Sequence, residues 1–257
     1  MVCRKCGNKI TARICPQCGF DVVNGDFYTV SPVRKQEQGE VYHTIALKKL
    51  KGWTVETEAP EFVRWETMAA NEGLAKAQER LGWYYDSLLP HSEKNTISAK
   101  KWYQAAANTY RKQAELGDTA AQRAIGRLYY EGKGVPLDYS EAMRWYKEAE
   151  KNDYVGSQKL IAILYRDGLG VEKDTVEAIR RLTIPASAGD QWAAYLIATI
   201  YYDDEKYTEA LKYLVPLAEQ GFLNAQSLLE RMYEQGLGVE KDQEKANYWR
   251  ERNRTRR

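Results

Sequence analysis

Four cysteines stand in the first eighteen residues, and the chain has no others. They fall as Cys3-x2-Cys6 and Cys15-x2-Cys18, eight residues apart. A two-residue gap lets both thiolates of a pair face one ion, and the glycines that follow, Gly7 and Gly19, let backbone amides turn toward the sulfurs. Two such pairs supply four soft ligands to tetrahedral Zn2+ with no open position, so the metal chemistry is structural rather than catalytic. The alternative is two disulfides, for which four cysteines allow three connectivities and which a reducing cytosol disfavours. A segment this short builds no core of its own, so metal binding, worth about 10–16 kcal/mol, is what would fold it. Other chemistry is sparse. The only histidines, His43 and His91, belong to no local metal or triad motif, and no Gly-x4-Gly-Lys-Ser/Thr phosphate loop occurs. The paired carboxylates Asp203-Asp204 sit in a predicted turn, where solvated charge is the default. The sequence points away from an enzyme.

The elements behind this segment follow from one stretch, Gly117 to Asp153. Ala121, Ala124, Ile125, Leu128 and Tyr129 recur at i, i+3, i+4, i+7 and i+8, one apolar stripe of a helix. Gly126 lies inside that stripe, where a missing side chain admits a neighbouring helix. Gly132 and Gly134 then end the helix, since glycine reaches the left-handed conformation without a Cβ penalty. A second stripe follows in Ala142, Trp145, Tyr146 and Ala149. The unit is a helical hairpin, and it repeats. The pattern Ala121/Gly126/Tyr129 returns as Ala77/Gly82/Tyr85, Ser157/Ala162/Tyr165, Ala193/Ala198/Tyr201 and Ala225/Glu230/Tyr233. The turn returns as EGKGVPLD at 131, DGLGVEKD at 167 and QGLGVEKD at 235. Repeats of this period are the mark of helical solenoids.

These residues resemble the Sel-1-like repeat family, a branch of the tetratricopeptide superfamily. Ala121 through Ala149 meets its Ala…Leu-Gly-x-x-Tyr-x-x-Gly-x-Gly-Val-x-x-Asp…Ala-x-x-Trp-Tyr-x-x-Ala signature with Ile125 in place of leucine, and the likeness covers residues 61 to 254. The fourth unit departs from it, with Asp203-Asp204-Glu205-Lys206 in place of the Gly-x-Gly-Val turn; the first has Leu88-Leu89-Pro90-His91 there and a long second helix. The resemblance implies an all-α chain, an α-solenoid of five hairpins over 60–257 that binds proteins or peptides on the face lined by its first helices. In tetratricopeptide geometry the positions beside the packing stripe project there: Glu79 and Trp83; Arg123, Arg127 and Tyr130; Lys159 and Arg166; Tyr195 and Tyr202; Ser227 and Arg231. Arginine and aromatic side chains suit interface hot spots and carboxylate-bearing, acidic partners.

The cysteine segment looks like the small zinc ribbon found at the N-terminus of many bacterial proteins, over residues 1–25. Residues 26–59 read as a linker, docked or free, in which Val41, His43 and Ile45 alternate like a strand while Ile45, Leu47, Leu50 and Trp53 would equally suit a helical turn or two. The basic Leu47–Trp53 run could touch anionic lipid or acidic protein. Pro60 opens a helix in which Trp65 and Ala69 match a second helix, an orphan that would cap the stack. Pro185 and Pro216 fall inside second helices and are expected to bend them. The end of the chain carries Arg250, Arg252, Arg254, Arg256 and Arg257. With Arg4, Lys5, Lys9 and Arg13 of the ribbon this tail allows an alternative reading, a nucleic-acid or ribonucleoprotein binder; a net charge of +2 over the whole chain argues against it. No apolar run approaches the ~18 residues of a membrane span, and the N-terminus has cysteines and charges where a signal peptide has its apolar region. The expectation is a cytoplasmic adaptor with a structural zinc ion.

Overall fold

The computed structural model describes residues 32–50, 59–90 and 92–254. The four cysteines, and with them the expected zinc ribbon, lie outside the described residues, as do Trp53, His91, Arg256 and Arg257. Regular structure among the described residues is helical throughout. In chain order the helices are α1 (Pro32–Leu50), α2 (Ala59–Asn71), α3 (Ala75–Trp83, continued by a π-helical turn at Tyr84–Leu88), α4 (Glu93–Glu115), α5 (Thr119–Glu131), α6 (Tyr139–Glu150), α7 (Tyr154–Asp167), α8 (Thr175–Ser187), α9 (Gln191–Asp203), α10 (Tyr207–Glu219), α11 (Leu223–Gln235) and α12 (Gln243–Arg254). They form two compact units. The first holds α1 to α4 as far as Gln113, with Lys133–Pro136; the second holds Ala114–Gly132 and everything from Leu137 on.

In the first unit the expected linker over 26–59 contains helix α1, which pairs with α2. Tyr42 and Ala46, four residues apart, are buried against Ala69, Ala70 and Leu74 and against Phe62 and Tyr84, respectively. The strand-like alternation fails because Val41 is exposed while its neighbours Tyr42 and His43 are buried. His43 can sit in a core because Glu66, wholly buried on α2, receives it: Nδ1 lies 2.9 Å from Oε1 and 3.0 Å from Oε2. The guanidinium of Arg80 on α3 stands 3.6 Å from the same carboxylate. Buried charges persist only when paired in this way. Helix α2 is therefore not an orphan cap but the second helix of a hairpin begun by α1. Next to it, α3 and α4 meet at Gly82, where a Cβ would lie 2.7 Å from the Tyr103 ring.

The second unit stacks four hairpins, α5/α6, α7/α8, α9/α10 and α11/α12, each packed on the next. One packing rule runs through them. Gly126 faces the Tyr146 ring at 2.6 Å from an ideal Cβ; at the equivalent places Ala162 shares a core with Leu182, and Ala198 with Leu214. The last hairpin has Glu230 and Arg250 there, joined by a 2.7 Å hydrogen bond from Arg250 Nε. As the first-helix residue grows, its partner shrinks or becomes an ion pair.

Helix ends follow the sequence closely. Asp118, Asp138, Asp153, Asp174 and Asp190 each cap a helix by accepting the backbone N–H three residues on, a bond worth about 1 kcal/mol. In the DGLGVEKD turn, Gly168 takes the left-handed conformation that ends α7, at φ 66°. Gly170 sits so close to the backbone of Tyr139 and Ser140 that a Cβ would come within 2.6 Å. The α9/α10 hairpin reaches the same reversal without glycine: Glu205 adopts φ 59°, with its N–H bonded to the Tyr202 carbonyl and that of Lys206 to Tyr201. Pro185 and Pro216 do not interrupt their helices. Both fall near the ends, and their carbonyls accept from Asp190 and Gln220 in the following turns.

Candidate functional site

Counting from the small residue that opens each first helix, positions +2, +6 and +9 lie on one stripe beside the buried one. On α5 these are Arg123, Arg127 and Tyr130; on α7, Lys159, Ile163 and Arg166; on α9, Tyr195, Thr199 and Tyr202; on α11, Ser227, Arg231 and Glu234. The structure thus brings the expected residues of the second unit onto one stripe of each of its four first helices. In the first unit, Trp83 is 43% exposed on α3, and Glu79 accepts a hydrogen bond from the Tyr110 hydroxyl.

The cations on this face largely meet carboxylates of their own chain. Arg123 pairs with Asp153 at 3.2 Å and Arg127 with Glu131 at 3.3 Å. Lys159 pairs with Asp190, and Arg166 holds Asp167 through two hydrogen bonds of 2.7 Å. Asp167 in turn raises the Tyr130 phenol, though burial is the larger cause. Asp153 and Asp190 each do two things, capping a first helix and accepting the cation of the preceding hairpin's first helix. At the next junction the chemistry changes: Phe222 occupies the capping position of α11, makes no side-chain cap, and meets the Tyr195 ring at 5.3 Å between centroids. Trp192 closes the group at 5.5 Å from Tyr195 and 5.9 Å from Phe222. Tyr202 leans on Tyr207, edge to face.

This arrangement can grip another molecule but contains no nucleophile–base pair. Among the described residues no group of His, Cys, Asp or Glu is placed to hold a metal ion. The Sel1 repeat profile matches residues 75–108, 119–154, 156–180 and 225–252. Four of the hairpins match that profile in whole or in part. The α9/α10 hairpin, with its glycine-free turn, and the α1/α2 hairpin lie outside the matched segments. A Sel1 repeat protein from Oxalobacter formigenes shares the fold at 29% identity and a TM-score of 0.62, over 88% of each chain. A protective antigen with an SLR fold from uropathogenic Escherichia coli is 29% identical with a TM-score of 0.55; the match covers 86% of this chain and 47% of the antigen. An immunity protein from Pseudomonas aeruginosa has the same fold at 17% identity, with a TM-score of 0.51 and coverage of 85% and 81%. No curated protein matches the chain by sequence.

Two features of the hairpins escape a reading by apolar stripes. Gln78, Gln122 and Gln226 are buried, and each donates through Nε2 to the carbonyl eight residues back, on Ala70, Ala114 and Ala218. These straps tie a first helix to the end of the preceding hairpin, about 0.5–1.5 kcal/mol each. The signal was available as the pair Ala-Gln. In the α9/α10 hairpin Ala194 takes the place of glutamine, and a cleft of about 190 Å³ lined by Ala186, Ala194, Tyr213 and Pro216 opens there. The second is the aromatic junction, whose signal is a phenylalanine where its counterparts are aspartate.

Proposed function

We propose that this chain is a non-enzymatic adaptor that binds a protein or peptide segment on the first-helix face of its Sel1 hairpins, while Zn2+ held by Cys3, Cys6, Cys15 and Cys18 folds its N-terminal segment. Sel1 repeats generally mediate protein–protein interaction. The observation that carries the reading is the +2/+6/+9 stripe, repeated on α5, α7, α9 and α11 and populated mainly by arginine, lysine and tyrosine side chains rather than by a catalytic constellation. The zinc assignment rests on the donor set, since four thiolates in two C-x2-C pairs fit a closed tetrahedral site. Two arginines near the end of α12 are engaged within the chain, Arg250 by Glu230 and Glu234 and Arg252 by the Glu219 carbonyl, to which it donates.

The test places a photo-crosslinking amino acid at Arg127, Ile163 or Thr199 in the intact chain, with Val176 on a second helix as the contrast. Crosslinks to protein from the three first-helix positions, resistant to nuclease, are expected; crosslinks that arise from Val176 alone, or that nuclease removes, refute the interaction face. For zinc, native mass spectrometry should find one ion per chain, lost on Cys3→Ser. A metal-free chain with two disulfides would overturn that assignment.

A further inference from the structure

The junctions between neighbouring first helices change character along the second unit. Arg123 meets Asp153 and Lys159 meets Asp190, but Tyr195 meets Phe222. The exchange costs α11 its aspartate cap, for Phe222 offers no side-chain acceptor. It also leaves Trp192, 44% exposed, turned toward water beside the two rings. Packing alone accounts poorly for that choice, because the aspartate version already serves at α7 and α9. A local rule broken in favour of exposed aromatic area marks a place where another surface fits.

The charges around the cluster say what kind of surface. Arg231, on the α11 stripe, is exposed and has no carboxylate partner among the described residues. Burial pushes the Tyr195 phenol up, the nearby Arg231 guanidinium pulls it down, and Asp203 raises it, so all three groups share one neighbourhood. The other cations of the face are closed by Asp153, Glu131, Asp190 and Asp167. A single-stranded nucleic acid would also stack on such rings, but it needs a track of free cations for its phosphates, and the carboxylates here interrupt one.

We propose that Trp192, Tyr195 and Phe222 form the anchor site of the interaction face, and that it docks a protein segment presenting one large apolar side chain to the rings and a neighbouring carboxylate to Arg231. This rests on the adaptor reading above and narrows it: the ligand is recognised by an apolar anchor with one acid, not by a run of acidic residues. Aromatic side chains and arginine are the types on which interface hot spots concentrate.

The experiment selects phage-displayed random dodecapeptides on the intact wild-type chain. Enriched peptides are synthesised and their affinity measured by fluorescence anisotropy on wild type, Trp192→Ala, Trp192→Phe, Arg231→Glu and Arg127→Glu. Far-UV circular dichroism and melting curves confirm that each variant folds; positions 192 and 231 are solvent-facing. The expected peptides pair Trp, Phe or Leu with Asp or Glu within a few residues. They should bind about tenfold or more weakly to Trp192→Ala and to Arg231→Glu, with Trp192→Phe close to wild type. Peptides that ignore position 192 and are lost with Arg127→Glu overturn the anchor site and leave the adaptor reading standing. Failure to enrich any peptide overturns both. Binding of oligo(dT) that Trp192→Ala abolishes and the peptides do not share assigns the rings to nucleic acid and refutes the proposal.

Discussion

An alanine at position 126 would place its Cβ 2.6 and 2.7 Å from two ring carbons of Tyr146 and 3.3 Å from the Ala142 carbonyl oxygen. Carbon atoms in contact sit about 3.5–4.0 Å apart, so the ring must move by roughly 1 Å. It has little freedom to do so, being 2% exposed and packed with Ala142, Met143, Ile161 and Leu164. Overpacking of this kind costs about 1–3 kcal/mol. The better helix propensity of alanine returns about 1 kcal/mol, leaving a net loss of about 0–2 kcal/mol and a Tm lower by up to about 8 °C. Tyr146→Leu alone should also destabilise, by about 2–4 kcal/mol, since it empties part of the same space. The double variant G126A/Y146L recreates the Ala162/Leu182 solution of the next hairpin, so it should be more stable than the sum of the singles by about 1–3 kcal/mol. Urea unfolding followed by far-UV circular dichroism measures all four corners of the cycle. Single effects that add within about 0.5 kcal/mol would refute the packing rule.

Three further substitutions test other parts of the argument. Glu205→Gly should stabilise by about 0.5–1 kcal/mol, because φ 59° is strained for a residue with a Cβ; a loss in Tm would contradict this. Ala194→Gln should add the missing strap to the Ala186 carbonyl across the 190 Å³ cleft and gain about 0.5–1.5 kcal/mol, whereas an unchanged or lower urea midpoint means the side chain does not reach. Glu177 is held down to about 2 from an ordinary 4.5, first by its hydrogen bonds from Arg180 and then, against burial, by those from Arg181. A depressed carboxylate contributes stability above its unfolded value that is lost as pH falls from about 4.5 toward 2. Glu177→Gln should therefore cost about 1–3 kcal/mol at pH 7 and converge on wild type in acid; a constant offset across an acid titration would exclude the mechanism.

Much of the second unit was legible because each hairpin repeats the same local solutions. Ala121, Gly126 and Tyr129 mark a first helix, and Gly168 and Gly170 a turn whose backbone geometry few other residues satisfy. Helix α1 was not legible, since its core-facing side includes His43, which counts as polar until Glu66 is known to lie opposite. No one-dimensional period reveals a partner 23 residues away. The face residues share one stripe on each first helix; what the sequence did not show is that Arg123, Lys159 and Arg166 each meet a carboxylate supplied by a helix end. Trp192 and Phe222 went unremarked because neither belongs to the repeat signature. Their departure from it was the signal.

The junctions also set which hairpins can follow which. Each stretch from one capping position to the next behaves as a cassette with a socket at its front and a plug at its +2 residue. Losing residues 153–189 in frame would present Arg123 to Asp190, a cation to a carboxylate, and the seam would close as before. Losing residues 190–221 would present Lys159 to Phe222, an ammonium group to a ring with no acid behind it. Gain and loss of repeats in such a gene is therefore not neutral to position. The first deletion should leave a cooperatively melting chain and the second a frayed one, and comparing the two melts would show whether α9/α10 and α11/α12 can be inherited only as a pair.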